Sequence, residues 1–359
     1  EGILMDKNNG AIYDARKLGK PKMIILGVQH MFAMFGATIL VPILTGLDIS
    51  TTLLMAGLGT LLFHCITKFK VPAFLGSSFA FLGGYAAIKA FSPNDPNSML
   101  PYACLGVACA GLIYFILAAV IKAVGIEKVM RFFPPVVTGP IIIAIGLGLA
   151  PSAVSNCTTN WSLAVVALAV IVVFNIWGKG MAKIIPIILG LLISYGTGLV
   201  LYFISQANPD LIQNVPWLFS GGADANGVYQ PIFDFTSLNT ICDNISKGHI
   251  FGSEGLIGIP IHWDKTVFGG IDYSNGALIA SSIIAIVPIA FATMMEHIGD
   301  ICAISSTTGN NYIKDPGLHR TLVGDGLATT LASLFGGPAN TTYGENTGVL
   351  ALTRVYDPR

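Results

Sequence analysis

Residues 340–354, NTTYGENTGVLALTR, decide how this chain folds. The segment lies where an apolar helix is expected, yet it begins with polar and small residues and contains a carboxylate, Glu345. Polar and β-branched residues favour an extended start, and a glycine such as Gly344 allows the backbone to approach its surroundings closely. We therefore predict a short extended segment followed by half a helix, in place of one continuous helix.

The composition of the chain predicts an all-α polytopic membrane protein. It is 53% hydrophobic and only 11% charged, whereas soluble domains carry about 25% charged residues. Apolar runs of about 20 residues, enough to cross the hydrocarbon layer, recur along it. The net charge is zero, which says little about partners, and we expect no nucleic acid partner. The ten predicted spans lie near 23–45, 51–67, 72–90, 101–122, 134–151, 161–177, 184–204, 275–301, 319–336 and 340–353.

The basic residues support this number of spans. With ten spans, every one of the 19 Lys and Arg residues lies on one side except Lys89, Lys247 and Lys265. The positive-inside rule makes the Lys- and Arg-rich side cytoplasmic. We therefore predict a cytoplasmic N-terminal segment at 1–22 and an extracellular loop at 206–273.

Two pairs of motifs suggest an internal repeat. A polar residue followed by His occurs in spans one and eight, 267 residues apart. Pro-Ala opens spans three and ten, 266 residues apart. Seven spans separate the equivalent elements, so the two copies face opposite ways, as in the inverted repeats of many transporters. The motifs are Gln29-His30 and Glu296-His297, then Pro72-Ala73 and Pro338-Ala339.

Spans three and ten are both interrupted by proline, glycine and polar residues. Each is predicted to be a short extended segment followed by a half-helix, whose first N–H groups are unpaired and carry partial positive charge. Non-helical backbone at membrane depth is tolerated where it is buried in protein or lines a cavity. Two such helix ends near the midplane predict a site for a small polar ligand.

Acidic residues inside the spans are functional candidates because they are costly in a membrane. Glu296 and Asp300 share a face of span eight, and Glu345 begins the half-helix of span ten. A carboxylate accepts two N–H hydrogen bonds side by side, and it can also bind and release a proton. The alternative is that these acids only fix packing, and packing is the more common role for His30 and His297.

Five blocks of sequence resemble the nucleobase–ascorbate transporter family, also called nucleobase:cation symporters 2, and its bacterial uracil-transporting members. The resemblance extends over essentially the whole chain, and the last block fits the family signature through Glu345, Asn346, Gly348, Thr353 and Arg354. The blocks are QHMFAMFGATILVP at 29–42, VPAFLGSSFAF at 71–81, EHIGD at 296–300, DPGLHR at 315–320 and NTTYGENTGVLALTR at 340–354.

The resemblance implies fourteen spans in two inverted seven-helix repeats, of which this chain is expected to cover about ten. It implies a core domain made of spans 1–4 at 23–122 and spans 8–10 at 274–359. The gate domain is then 123–205, spans 5–7, and four C-terminal spans are expected to be absent. It also implies a homodimer in the bacterial cytoplasmic membrane, surrounded by lipid bilayer.

The same resemblance implies roles for individual residues. Glu296 and Glu345 would hold the base, Phe79 and Gly344 would contact it through the backbone, and Ala37 would form the pocket wall. Proton coupling would involve Glu296 and Asp300. The expected supporting residues are Gln29, His30, Tyr343, Asn346 and Ser77. No cofactor or metal is implied.

The predicted function is proton-coupled import of uracil by alternating access, with three alternatives. A xanthine or other purine importer is the nearest: Glu345 favours uracil, whereas Asp300 stands where the best-known uracil permease pattern has His. An anion transporter of the same architecture is disfavoured because three acids at the site would repel an anion. A membrane enzyme is disfavoured because no HExxH or nucleophile–His–acid pattern occurs.

Overall fold

The computed structural model is mostly helical. It describes residues 11–125, 127–129, 135–179, 182, 186–224, 226–236, 239, 258 and 260–358. The longer helices are α1 (Lys20–Thr45), α2 (Ile49–Ile66), α3 (Leu82–Lys89), α4 (Leu100–Val124), α5 (Pro135–Cys157), α6 (Trp161–Trp177), α7 (Pro186–Ala207), α8 (Gly276–Ile286), α9 (Ala290–Thr308), α10 (Leu318–Leu334) and α11 (Gly344–Thr353). The strands are β1 (Leu75–Ser77), β2 (Ser220–Ala223), β3 (Tyr229–Pro231) and β4 (Asn340–Thr342).

Shorter helical segments connect these elements. Four-residue and five-residue α-helical segments are Pro216–Phe219, Val267–Gly270 and Asp210–Asn214. The 3₁₀ turns are Ala15–Leu18, Pro96–Met99, Trp263–Lys265 and Val287–Ile289, and a π-type turn covers Ile313–Gly317. The turn around Pro288 divides predicted span eight into α8 and α9, because proline cannot donate the backbone hydrogen bond that a continuous helix needs.

Local sequence explains where the helices begin and end. The Asp48 side chain accepts the N–H of Thr51 at 2.7 Å and caps α2, and Asn275 caps α8 by accepting the N–H of Leu278 at 3.1 Å. Asp and Asn are favoured at this position because their oxygens pair with the otherwise free N–H groups of the first turn. At the other end of α1, Gly46 adopts a left-handed conformation with φ of 85°, which glycine tolerates.

Contacts between residues divide the chain into two units, 1–145 with 260–359, and 146–259. In the first unit, α4 and α10 pack closely because glycines replace larger side chains where they cross. A Cβ atom on Gly111 would lie 2.7 Å from the carbonyl oxygen of Gly326. Buried side chains around this crossing form the core, and they include Phe63, Tyr85, Tyr114, Ile286, Met294, Ile301, Leu318 and Leu322.

The N-terminal segment of the first unit packs against the end of the chain. The N–H of Ile12 donates to the carbonyl of Arg354 at 2.8 Å, and the N–H of Tyr356 donates to the carbonyl of Ile12 at 2.8 Å. The Tyr13 hydroxyl donates to the carbonyl of Thr308, the last residue of α9, at 2.9 Å. Residues 11–13 therefore connect the ends of α9 and α11.

In the second unit, α6 and α7 pack side by side and a two-stranded antiparallel sheet, β2 with β3, follows them. The Asn160 side chain caps α6 by accepting the N–H of Leu163 at 3.0 Å, and it donates to the carbonyl of Ser220 at 2.8 Å. The strands belong to the predicted extracellular loop 206–273, and most of residues 237–259 in that loop lie outside the described residues.

Five helical segments among the described residues are long and apolar enough to cross a membrane. They are Lys20–Thr45, Ile49–Ile66, Pro96–Val124, Ile188–Ala207 and Gly276–Thr308, with Trp161–Trp177 as a shorter apolar helix. Length and composition therefore agree with the predicted polytopic membrane protein. The extended segments predicted in spans three and ten are confirmed as β1 and β4.

Candidate functional site

The two extended segments pair with each other. Strands β1 and β4 run antiparallel, with Leu75 opposite Thr342, Gly76 opposite Thr341 and Ser77 opposite Asn340. The ladder continues at both ends through backbone hydrogen bonds, Ser78 N–H to the Ala339 carbonyl at 2.8 Å and Tyr343 N–H to the Phe74 carbonyl at 3.0 Å. The pairing supplies the backbone partners that an extended chain needs at membrane depth.

Side chains from α2 and α10 satisfy the outer edges of the strand pair. The Thr60 hydroxyl donates to the Leu75 carbonyl and accepts the Leu75 N–H, both at 3.1 Å. The Thr329 hydroxyl donates to the Asn340 carbonyl at 2.6 Å, and the Asn340 amide donates to the Met55 carbonyl at 3.0 Å. Because α2 bonds to both strands and α10 bonds to β4, the strand pair is a fixed part of the first unit.

Tyr343 lies directly after β4 and joins the strand pair to α1. Its hydroxyl donates to the Ser77 carbonyl at 2.8 Å and accepts from the Thr38 hydroxyl at 3.2 Å. The ring packs over Gly76, where a Cβ atom would lie 2.5 Å from a Tyr343 ring carbon. The predicted supporting residues Tyr343 and Ser77 are thus in direct contact.

Helix α11 begins at Gly344, immediately after this tyrosine, with Glu345 in its first turn. Glu345 is exposed, whereas the next residue, Asn346, is buried. The Asn346 amide donates to the carbonyl of His30 at 3.1 Å and lies 3.2 Å from the Nδ1 atom of the same histidine. Two predicted supporting residues, on α1 and α11, are therefore bonded to each other.

The other two predicted acids lie on α9, opposite the start of α11. Asp300 accepts the Thr342 hydroxyl at 2.8 Å, and a Cβ atom on Gly344 would lie 3.7 Å from its second oxygen. Glu296 is half-buried, and its Oε2 atom is buried with no hydrogen-bond partner among the described residues. Both acids interact electrostatically with Glu345, so the structure brings the three carboxylates together.

The remaining predicted residues surround this group less closely. Ala37 is half-buried on α1, next to the Thr38 that bonds Tyr343. Phe79 is half-buried in the turn between β1 and α3, and its carbonyl accepts the N–H of Leu82 at 3.1 Å. The Gln29 side chain lies outside the described residues.

A fourth acid lies behind the three carboxylates. Asp325, on α10, is fully buried, and its Oδ2 atom is 3.4 Å from Nδ1 of His297 on α9. His297 is also fully buried, and its Nδ1 atom lies 3.4 Å from the Thr342 hydroxyl. Within the part of the chain that the structure describes, no three His, Cys, Asp or Glu side chains are arranged to hold a metal ion.

Comparison with known proteins identifies the family. A family model described as a permease family, Xan_ur_permease, matches residues 21–359. The chain belongs to this permease family, the nucleobase–ascorbate transporters. The permease is 39% identical over 344 residues to a uracil permease of Bacillus caldolyticus, covering 93% of this chain and 67% of that protein. It is 37% identical over 346 residues to a uracil permease of Bacillus subtilis, covering 93% of this chain and 67% of that protein.

Membership of the permease family makes this chain a transporter and not an enzyme. The family and the apolar helices together make it a multi-pass membrane protein. The resemblance drawn from the sequence blocks is thereby confirmed at the level of the family.

Sequence reasoning did not identify Asp325 as a site residue of the permease. The residue stands in the stretch VGDGLA, inside the ninth predicted span, and an acid between two glycines in an apolar run was a signal for it. The pairing of Asp325 with His297 was not visible in the sequence, because it depends on how α9 and α10 face each other.

Proposed function

We propose that this permease imports uracil together with protons across the bacterial cytoplasmic membrane, by alternating access. The observation that carries the proposal is the convergence of Glu296 and Glu345 beside the first turn of α11 and the β1–β4 pair. The two relatives that bear the name uracil permease support the choice of substrate.

The proposed site matches the chemistry of a pyrimidine base. Uracil has N–H groups beside carbonyl oxygens, and ionised carboxylates only accept hydrogen bonds. Glu296 and Glu345 would take the N–H groups, while the backbone at Gly344 and Phe79 would serve the carbonyl oxygens. Ala37 would form the wall of the pocket.

The proposed supporting residues act behind these contacts. Tyr343 and Ser77 hold the strand pair against α1, and Asn346 with His30 fixes the first turn of α11. Gln29 is proposed as the neighbour of His30.

Crowding of carboxylates supports proton coupling. Like charges in a shared site disfavour ionisation of all members, and Glu296, Asp300 and Glu345 interact electrostatically. Binding of a proton at Glu296 or Asp300 would relieve this repulsion. Uracil entry would then be linked to proton entry at one site.

The strand pair supports the proposed inverted repeat. A two-fold axis in the membrane plane reverses the direction of one copy, and β1 and β4 run antiparallel with starts 265 residues apart, at 75 and 340. The proposed core is 23–122 with 274–359, moving against a gate at 123–205. A cytoplasmic N-terminus at 1–22, an extracellular loop at 206–273 and a lipid-embedded homodimer complete the proposal.

A xanthine or other purine importer is the second candidate, favoured by Asp300 on α9. The position of Glu345 favours uracil, because an amide at that position, as in purine members that the chain resembles, offers only one accepting oxygen.

Uptake of labelled uracil tests the proposal. Cells without their own uracil transporter would produce the full-length protein, and uptake would be measured with and without a protonophore. We expect uptake that the protonophore abolishes and that Glu296→Gln removes, with Asp95→Asn, an exposed carboxylate, as the matched control. Uptake that persists with the protonophore would contradict proton coupling, and xanthine uptake without uracil uptake would favour the purine importer.

A further inference from the structure

His297 and Asp325 form a closed pair between α9 and α10. Both side chains are 0% exposed, and the Nδ1 and Oδ2 atoms are 3.4 Å apart. Both Asp325 oxygens and the Nε2 atom of His297 have no hydrogen-bond partner among the described residues. The Nδ1 atom of His297 has one further neighbour, the Thr342 hydroxyl. The pair is therefore isolated from water, and a charge on either residue is compensated by the other residue of the pair.

An isolated carboxylate is strongly disfavoured in a dry protein interior, and such groups neutralise or pair with a cation. Two alternative protonation states of the pair with His297 satisfy this rule for Asp325. It is either a neutral acid beside a neutral imidazole, or a carboxylate beside an imidazolium. Both arrangements hold one proton more than the ionised acid with a neutral histidine, which is the form that burial disfavours.

The groups around the pair favour retention of that proton. Glu296 and Asp300 from α9 interact electrostatically with Asp325, and their negative charges oppose a further negative charge. From α4, the Tyr114 hydroxyl donates to Thr293 at 2.6 Å instead of to the acid. From α2, the Phe63 ring packs edge-on against His297 with centroids 6.3 Å apart, and the next residue, His64, is also buried.

One hydroxyl joins the pair to the proposed substrate site. The Thr342 Oγ1 atom lies 3.4 Å from Nδ1 of His297 and donates to Asp300 at 2.8 Å. A proton can leave Nδ1 for Thr342 while the Thr342 hydroxyl proton passes to Asp300. In that step one N–H bond and one O–H bond break and two O–H bonds form, so no further reactant is needed.

We propose that His297 and Asp325 form a proton-binding site of this transporter, and that His297 exchanges its proton with Asp300 through Thr342. The proposal rests on the proposed function, since it assigns part of the proton coupling to a pair that does not touch the base. His297 acts here as a positioning and proton-holding residue, separate from the carboxylates that would contact uracil.

The test compares coupled and uncoupled transport in proteoliposomes that contain the full-length protein. His297→Asn keeps a hydrogen-bond donor of similar reach but removes the ionisable ring. We expect it to lower uracil accumulation driven by an acidic exterior at least tenfold, to flatten the pH dependence of accumulation, and to lower exchange of uracil across the membrane less than threefold. The matched control is His64→Asn, a buried histidine on α2 for which the described residues show no acid contact.

Each outcome decides between the two proposals. Wild-type protein that does not accumulate uracil under a pH gradient would contradict the proposed function. Wild-type accumulation that His297→Asn leaves unchanged would contradict the proton-binding pair alone. His297→Gln serves as the second variant. Loss of uracil binding in both variants would make His297 a packing residue and would also overturn the proposal.

Discussion

Gly76 and Tyr343 contact each other across the strand pair, so closely that a Cβ atom on Gly76 would lie 2.5 Å from the tyrosine ring and 2.7 Å from the Thr38 hydroxyl. The ring is held in place by the hydrogen bonds of its hydroxyl to Ser77 and Thr38. The space at Gly76 therefore sets the distance between β1 and the start of α11.

Gly76→Ala is expected to destabilise the protein by about 1–3 kcal/mol, the usual cost of forcing an extra methyl group into a packed interior. Displacement of Tyr343 would also weaken uracil binding. Thermal unfolding and uracil binding of the purified full-length protein would measure both effects. Gly83→Ala on α3, where no atom lies within 4 Å of the added carbon, is the matched control, and equal effects of the two variants would argue against the contact.

Thr342→Val is expected to impair proton-driven uptake more than uracil binding, because it removes the hydroxyl between Asp300 and His297 at nearly constant volume. The adjacent Thr341 has a buried hydroxyl without a hydrogen-bond partner among the described residues. Thr341→Val should therefore be neutral or slightly stabilising, since no hydrogen bond is lost. Transport by the two variants at equal protein level checks this difference, and similar loss in both would contradict it.

Glu345→Gln is expected to weaken uracil binding by about 10- to 100-fold. The amide replaces an oxygen that accepts from the base by a group that donates, and hydrogen bonds to charged groups contribute about 1.5–3 kcal/mol. Folding should be unaffected because Glu345 is exposed at the start of α11. Binding measured by calorimetry tests the size of the effect, and an unchanged affinity would remove Glu345 from the proposed site.

Tyr13→Phe is expected to loosen the N-terminal segment without changing the strand pair. It removes the hydrogen bond to the Thr308 carbonyl, a loss of about 0.5–1.5 kcal/mol. Hydrogen exchange of residues 11–18 should rise, while Tyr229→Phe, on a strand of the other unit, should leave it unchanged. Exchange at wild-type level in Tyr13→Phe would show that the backbone bonds of Ile12 suffice.

The same tyrosine predicts a pH dependence. Partial desolvation, with smaller contributions from Tyr312 and Tyr356, raises the pKa of the half-exposed Tyr13 above its ordinary value of 10.0. The unfolded segment thus loses its phenol proton before the folded segment does. The stabilisation of the folded segment by the neutral Tyr13 hydroxyl is complete below pH 10 and falls as the pH rises beyond 10. Limited proteolysis of wild type on either side of pH 10 should show this loss, and Tyr13→Phe should not.

Much of the fold was predictable because it depends on local sequence. Apolar length and helix caps such as Asp48 and Asn275 fix where helices lie, and proline with glycine marks the interrupted spans. The predicted spans at 161–177 and 340–353 agree closely with the helices Trp161–Trp177 and Gly344–Thr353. The break at Pro288 inside span eight was missed, since an apolar run alone does not report a turn.

The acidic residues of the site could be predicted from the sequence, but their hydrogen-bond partners could not. Glu296, Asp300 and Glu345 are conspicuous as charges in apolar segments. The bonds of Asp300 to Thr342 and of Asn346 to His30 join residues far apart in the chain. Such bonds arise from the packing of α1, α9, α10 and α11, which no single segment determines.

The strand pair has a consequence for synthesis of the protein. Leu75–Ser77 emerge from the ribosome long before Asn340–Thr342, and at about 5–20 residues per second the interval is roughly 15–50 s. During this time β1 has no strand partner in a medium that penalises free backbone groups. Thr60 on α2, already synthesised, satisfies both backbone groups of Leu75. One threonine thus holds the outer edge of β1 before β4 is made, while the Phe74 carbonyl and the Ser78 N–H on the inner edge wait for Tyr343 and Ala339.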